Sequence, residues 1–131
     1  MVIQNTAATT APALCDITGQ VKEAVAQSGV REGVCVVCSK SPTAGVLVTS
    51  FWDPLGHEDI LDDLERIFPP RTNYAWQGAP EAAAAHSAAA LCGRPLDFII
   101  QEGELVLGHS QGIYLLDPMG GQDIPYAVTC L

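Results

Sequence analysis

Residues 80–93, Pro-Glu-Ala-Ala-Ala-Ala-His-Ser-Ala-Ala-Ala-Leu-Cys-Gly, are the most constraining stretch of this chain. Pro80 suits the first turn of a helix, and Gly93 with Pro95 supplies a stop, so the segment is expected to be helical. Its expected inner stripe is Ala82, Ala83, His86, Ala89 and Ala90. A helix with so little side-chain bulk must lie very close to whatever it packs on. The one large polar group on that stripe is His86, which makes it the leading candidate for a functional side chain.

The other elements follow from periodicity and punctuation. A short helix is expected after Thr18, a candidate N-cap, with Val21, Ala24 and Val25 as its apolar stripe and Gly29 as its stop. Gly33 opens a strand-like run through Cys38, Ser39-Lys-Ser-Pro-Thr43 reads as a polar turn, and Gly45 to Ser50 is a second strand. Asp53-Pro54 opens the best-patterned helix, with Ile60, Leu61, Leu64, Ile67 and Phe68 on one face. Glu58, Asp59, Asp62 and Asp63 read as a solvated face that suits the helix dipole, with Arg66 near its end and Pro69-Pro70 as a stop. A loop with Tyr74 and Trp76 precedes the alanine helix. Leu96 to Gln101, Glu102-Gly103 and Glu104 to Gly108 resemble a tight hairpin, followed by strands at Ile113 to Asp117 and Ile124 to Cys130. Residues 1–13 read as a loose N-terminal arm or a poorly patterned edge strand, and 14–131 as a single domain. The fold class is α+β: a mixed, mainly antiparallel sheet with about three helices packed on one side.

Composition bounds the partners. The chain is 48% hydrophobic and 16% charged, an apolar balance that points to surface covered by another subunit; the alternative is that the many alanines inflate the figure. A net charge of −9 without clustered Lys or Arg argues against nucleic acid and anionic membrane surfaces as partners. A small anionic ligand stays open, because turn or helix-start N–H groups can hold one locally. Five cysteines, mostly in apolar runs, read as reduced thiols rather than a secreted disulfide framework. Cys35 and Cys38 form a C-x-x-C, but three residues apart on a strand they point to opposite faces, a poor arrangement for a metal. The N-terminus lacks the basic start and continuous apolar stretch of a secretory signal, and no segment is long enough to span a bilayer, so a cytoplasmic location is expected.

These features, taken in order, resemble a known family. Asp16-Ile17-Thr18, Ser28-Gly29, Gly33, Pro42-Thr43-Ala44-Gly45, Asp53-Pro54, Tyr74, Ala85-His86, Leu91, Gly93, Glu102 to Gly108 and Gln111-Gly112-Ile113-Tyr114 are similar to the YjbQ-like proteins, over roughly residues 14 to 131. The resemblance implies an α+β homotrimer with secondary thiamine-phosphate synthase activity, and a polar site with three histidines, an Asn-Glu pair and a Gly-Thr-Trp-Gln turn. This chain departs from that pattern. Ser41 and Pro42 replace the loop histidine and its neighbouring threonine, Thr49 and Ser50 replace the Asn-Glu pair, and Trp76 replaces the second histidine. Ala82 stands for an asparagine, and His109-Ser110 for Thr-Trp. Of the family's three histidines, His86 remains.

What these residues can do is limited. A catalytic zinc needs three protein ligands, so His86 would need His109 together with His57 or Cys38; no metal and no cofactor are expected. His86 can serve as general acid or base if Asp117, Asp53 or a backbone carbonyl fixes its tautomer; the alternative is a packed, silent histidine. Ser41 and Thr43 in the polar turn, with Gly108, His109 and Gln111 in the later bend, are the candidate ligand-binding residues for a small phosphorylated molecule. Equally, Gly108 can permit a bend while Gln111 satisfies nearby backbone groups. Two functions stay open: a thiamine-phosphate synthase-like transferase with a depleted site, and a non-catalytic trimeric binding or scaffold protein.

Overall fold

Every strand pairing in the computed structural model, which describes residues 1–50 and 52–131, is antiparallel. The elements run β1 (Val2–Ala8), β2 (Ala13–Asp16), α1 (Thr18–Ser28), β3 (Gly33–Ser39), β4 (Gly45–Ser50), α2 (Pro54–Ile67), α3 (Pro80–Cys92), β5 (Leu96–Gln101), β6 (Glu104–Leu105), β7 (Gln111–Asp117) and β8 (Asp123–Cys130). The α+β class agrees with the sequence. The strands divide into two sheets, β1-β8-β3-β5-β6 and β2-β7-β4, a division that alternation alone does not show.

The core lies between the two sheets. Val37, Tyr126 and Val128 of the larger sheet and Val46, Ile113 and Leu115 of the smaller one join Val21, Ala24 and Val25 of α1 in one buried cluster. Thr18 ties α1 to the smaller sheet: its Oγ1 accepts from Ile113 N–H at 2.8 Å and faces Ile113 C=O at 3.3 Å. Thr18 is thus the first helical residue rather than the cap; Ile17 holds that position without a side-chain bond, and Asp16 Oδ1 accepts from Thr18 N–H at 2.9 Å. β7 is buried from Gly112 through Asp117 on alternating faces. Ile113 and Leu115 face the core, so Tyr114 and Leu116 face the opposite side, where Tyr114 meets His57 of α2 edge-on at 4.8 Å.

Residues 1–13 are not a loose arm over most of their length. Val2–Ala8 pairs with β8 from Val2↔Thr129 to Ala8↔Asp123, the edge-strand alternative. Ile3, Asn5 and Ala7 are half-buried and their neighbours exposed, so a strand period exists but is carried partly by polar and small residues that hide it. The hairpin forms at Glu102-Gly103, both at positive φ (53° and 81°), as a two-residue turn of this kind requires. Glu32 Oε1 accepts from Glu102 N–H and Arg31 C=O from Gly103 N–H, each at 2.9 Å, which supports the unusual conformation of Glu102. β6 ends at Leu105, shorter than its apolar pattern suggests.

Candidate functional site

The face that α3 buries differs from the stripe expected for it. Ala83, Ala84, Ala85, Ala88 and Ala89 are buried, while His86 and Ala90 are exposed. A run of alanines has no hydrophobic periodicity to orient it, so the sequence leaves the rotation of the helix undetermined. The close approach expected of so small a helix is real and occurs at its end: a Cβ built on Gly45 would lie 2.1 Å from Gly93 O and 2.2 Å from Gly93 Cα. Only paired glycines permit the start of β4 to touch the end of α3.

That contact closes one end of a cleft. Ser39, Ser41, Pro42 and Ala44 form one wall, His86, Ala89 and Ala90 the other, with Gly93 and Pro95 between them, around a cavity of about 460 Å³. Nδ1 of His86 lies 2.7 Å from Ala82 C=O, which places a proton on Nδ1 and leaves Nε2 as the acceptor. The tautomer is therefore set by a backbone carbonyl one helical turn back. Asp53 instead caps α2 by accepting from Leu55 N–H at 2.9 Å. Asp117, fully buried, accepts from Gly120 N–H at 3.0 Å, from the Gln122 amide at 2.9 Å and from the Thr9 hydroxyl. The Trp76 ring packs edge-on against His86, centroids 5.4 Å apart. Gly78 makes room for it, since a Cβ there would lie 2.1 Å from the indole.

The candidate residues from the sequence separate into three groups. Ser41 and His86 share the cleft. Thr43 is buried beside it, its Oγ1 3.2 Å from Ser41 Oγ and 3.4 Å from the Gln122 carboxamide oxygen, so it braces the turn that carries Ser41. Gly108, His109 and Gln111 do not line the cleft: Gln111 Oε1 accepts from Gly108 N–H at 2.8 Å, and His109 packs against Trp52 at 5.8 Å. Ser39 belongs to the polar turn read from the sequence, and it lines the cleft with Ser41. Trp76, the occupant of a histidine position, packs on His86, while the Gly93-Pro95 corner, read from sequence only as a helix stop, also lines the cleft.

The donors named for a metal do not converge within the single chain. His57 bonds with Nε2 to Ser50 C=O at 2.8 Å and abuts Tyr114, His109 lies on Trp52, and Cys38 points its thiol to Ser39 C=O at 3.3 Å. Among the described residues no three His, Cys, Asp or Glu side chains gather around one point.

A second cavity, about 490 Å³, lies between α2 and α3. Its floor is Leu61, Leu64, Phe68, Ala84, Ala85 and Ala88, and its rim carries Glu58, Asp62, Glu65 and Glu81. Four carboxylates and no cation around it repel an anionic ligand, so this cavity and the His86 cleft suit different chemistries.

Comparison with known proteins gives consistent relatives. The sequence profile of the UPF0047 protein YjbQ-like family matches residues 3–125. UPF0047 protein MJ1081 of Methanocaldococcus jannaschii is 30% identical over 105 residues, 79% of this chain and 74% of that one. UPF0047 protein YugU of Bacillus subtilis is 26% identical over 122 residues, 89% of this chain and 85% of that one. Among solved structures, a conserved yjbq/upf0047 family protein from Clostridium acetobutylicum superposes with a TM-score of 0.91 at 35% identity, covering 98% of this chain and 99% of that one. A protein of unknown function from Sulfolobus solfataricus, described as YbjQ-like, gives a TM-score of 0.85 at 28% identity, covering 99% and 96%.

Proposed function

This chain belongs to the YjbQ-like, UPF0047 family, and from that premise we propose that it is a small-molecule-binding member whose cleft no longer carries the family's chemistry. The observation behind this reading is that, among the described residues lining the cleft, His86 is the sole imidazole, with Ser39 and Ser41 beside apolar side chains. A small phosphorylated molecule fits these groups. The Ser41 hydroxyl, exchanging its bond with Thr43 Oγ1 (3.2 Å) for the ligand, and a His86 ring that takes up a second proton at Nε2 as the anion binds would donate to phosphate oxygens. The Ser39 hydroxyl stays on Ser41 C=O (3.4 Å), and Pro42, Ala44, Ala89 and Pro95 would contact the apolar part. The cleft lies along the C-terminal half of α3, whose carbonyl end does not favour anions. Binding therefore rests on His86 and the Ser41 hydroxyl, and modest affinity is expected.

The proposed assembly is a homotrimer. α2 supports it, since none of its residues is buried in the single chain and its Ile67 remains 64% exposed.

The second reading is a transferase of the secondary thiamine-phosphate synthase type, which the family resemblance and the accessible Nε2 of His86 favour. It would join a pyrimidine diphosphate to a thiazole phosphate, with pyrophosphate leaving. An assay with both precursors separates the two readings. Product formation that the His86→Ala variant abolishes establishes the transferase; no product above that control, with either precursor raising the unfolding temperature, supports the binding protein.

A further inference from the structure

Cys35 and Cys130 stand directly opposite each other on β3 and β8. The next pair outward, Val34 and Leu131, exchanges both backbone hydrogen bonds, at 3.0 and 2.8 Å. Narrow and wide pairs alternate along an antiparallel ladder, so Cys35 and Cys130 occupy a non-hydrogen-bonded site. There the Cα atoms lie about 4.5 Å apart and the side chains leave on the same face. That separation is within the disulfide range, at its short end. The two sulfurs already interact: Cys35 is pushed up to about 12 by burial and then by the neighbouring Cys130 thiol. Cys35 is fully buried in the core cluster, and Cys130 is half-buried at its edge.

We propose that Cys35 and Cys130 form a reversible cross-strand disulfide when the protein meets hydrogen peroxide, a redox staple between β3 and β8. The half-exposed Cys130 is the sulfur the oxidant reaches. Its thiolate attacks the peroxide, the O–O bond breaks, and Cys130 becomes a sulfenic acid as water leaves after proton transfer. The Cys35 sulfur then attacks the Cys130 sulfur; the S–O bond breaks, and the sulfenic oxygen departs as a second water with the Cys35 proton. Two thiols lose two electrons and two protons, and one peroxide becomes two waters. Burial makes Cys35 a poor first nucleophile and protects it from oxidation alone, while its position makes it the resolving thiol. Cys38 cannot take that role from the same strand, because three residues along it faces the other side.

The test is peroxide treatment of the reduced full-length protein, followed by alkylation and peptide mapping. Cys35 and Cys38 fall in one tryptic peptide, and Cys92 and Cys130 in another because Arg94-Pro95 resists trypsin, so Cys38→Ser and Cys92→Ser are mapped alongside the native chain. The expected result is a cross-link between the Cys35 and Cys130 peptides in all three proteins, reversed by dithiothreitol, with a higher unfolding temperature for the oxidised form. Cys130→Ser should abolish both effects while keeping the fold, which the half-buried position permits. Sulfinic acid at Cys130 without a cross-link, a cross-link lost in Cys38→Ser, or one running between chains through Cys92 would overturn the proposal.

Discussion

At the scale of single residues, two glycines and one cysteine carry sharp consequences. Gly45 and Gly93 bring β4 and α3 into backbone contact, and the atoms a Cβ would strike are main chain, which does not swing aside. Gly45→Ala is expected to cost at least 2–3 kcal/mol, about the upper range for overpacking, and to open the cleft corner; the denaturant midpoint reads the loss. Cys35 bears on pH. Its thiol is raised from 9.0 to about 12 in the folded protein by burial and by Cys130, so above pH 9 the unfolded chain releases a proton that the folded chain keeps. Stability from this group is complete below pH 9 and falls as pH rises through 9 to 12. Buried Tyr114 and Tyr126, whose phenols burial also pushes up, act in the same direction at higher pH. Unfolding temperatures measured from pH 8 upward should fall across that window, and Cys35→Ala should flatten the early part of the fall while lowering the starting value.

Among the elements, α2 depends on its cap more than on its packing. No residue of α2 is buried in the single chain, so the bond from Leu55 N–H to Asp53 and the fixed φ of Pro54 define its start. Asp53→Ala should destabilise by about 1 kcal/mol, seen as faster amide exchange across residues 55–58 before global unfolding. This element also shows what the sequence made legible. Asp53-Pro54, the apolar stripe and the Pro69-Pro70 stop are local signals, and the helix runs from Pro54 to Ile67 as they indicate. Glu102-Gly103 is local too, and it makes the expected turn. Nonlocal arrangements were hidden. The split into two sheets depends on pairings such as Cys15↔Leu115 and Cys35↔Cys130 that no nearby residue announces. The rotation of α3 was equally opaque, because alanine on every side offers no moment, and His86 consequently lies outside the buried face. Within the site, Ser41 and His86 were named from sequence and share a cleft, whereas His109 and Gln111 belong to a different turn. Family pattern located positions along the chain; the mutual distances of those positions needed the fold.

At the scale of the whole molecule, the proposed assembly rests on exposed apolar surface. Trp52, Leu55, Ile67 and Leu91 are each more than 60% exposed in the single chain, an amount of large apolar side chain that a partner subunit would cover. Among the described residues no helix is long and apolar enough to cross a membrane. Light scattering is expected to give a trimer mass, and Ile67→Glu, which places a charge on the exposed stripe of α2, should shift the mass toward monomer with the circular dichroism spectrum retained. A clean monomer mass for the native chain would exclude the trimer.

The cleft between Ser41 and His86 is proposed to hold a small phosphorylated molecule. Nuclear magnetic resonance titration with thiazole phosphate, following the His86 ring and the backbone amides of residues 39–45 and 86–93, tests it most directly. Saturable shifts confined to those groups are expected, with binding weakened about 10-fold or more in His86→Ala and in Ser41→Ala, in line with the loss of a charge-assisted hydrogen bond. Shifts centred on His109 and Trp52 instead, or binding unchanged in His86→Ala, would contradict it.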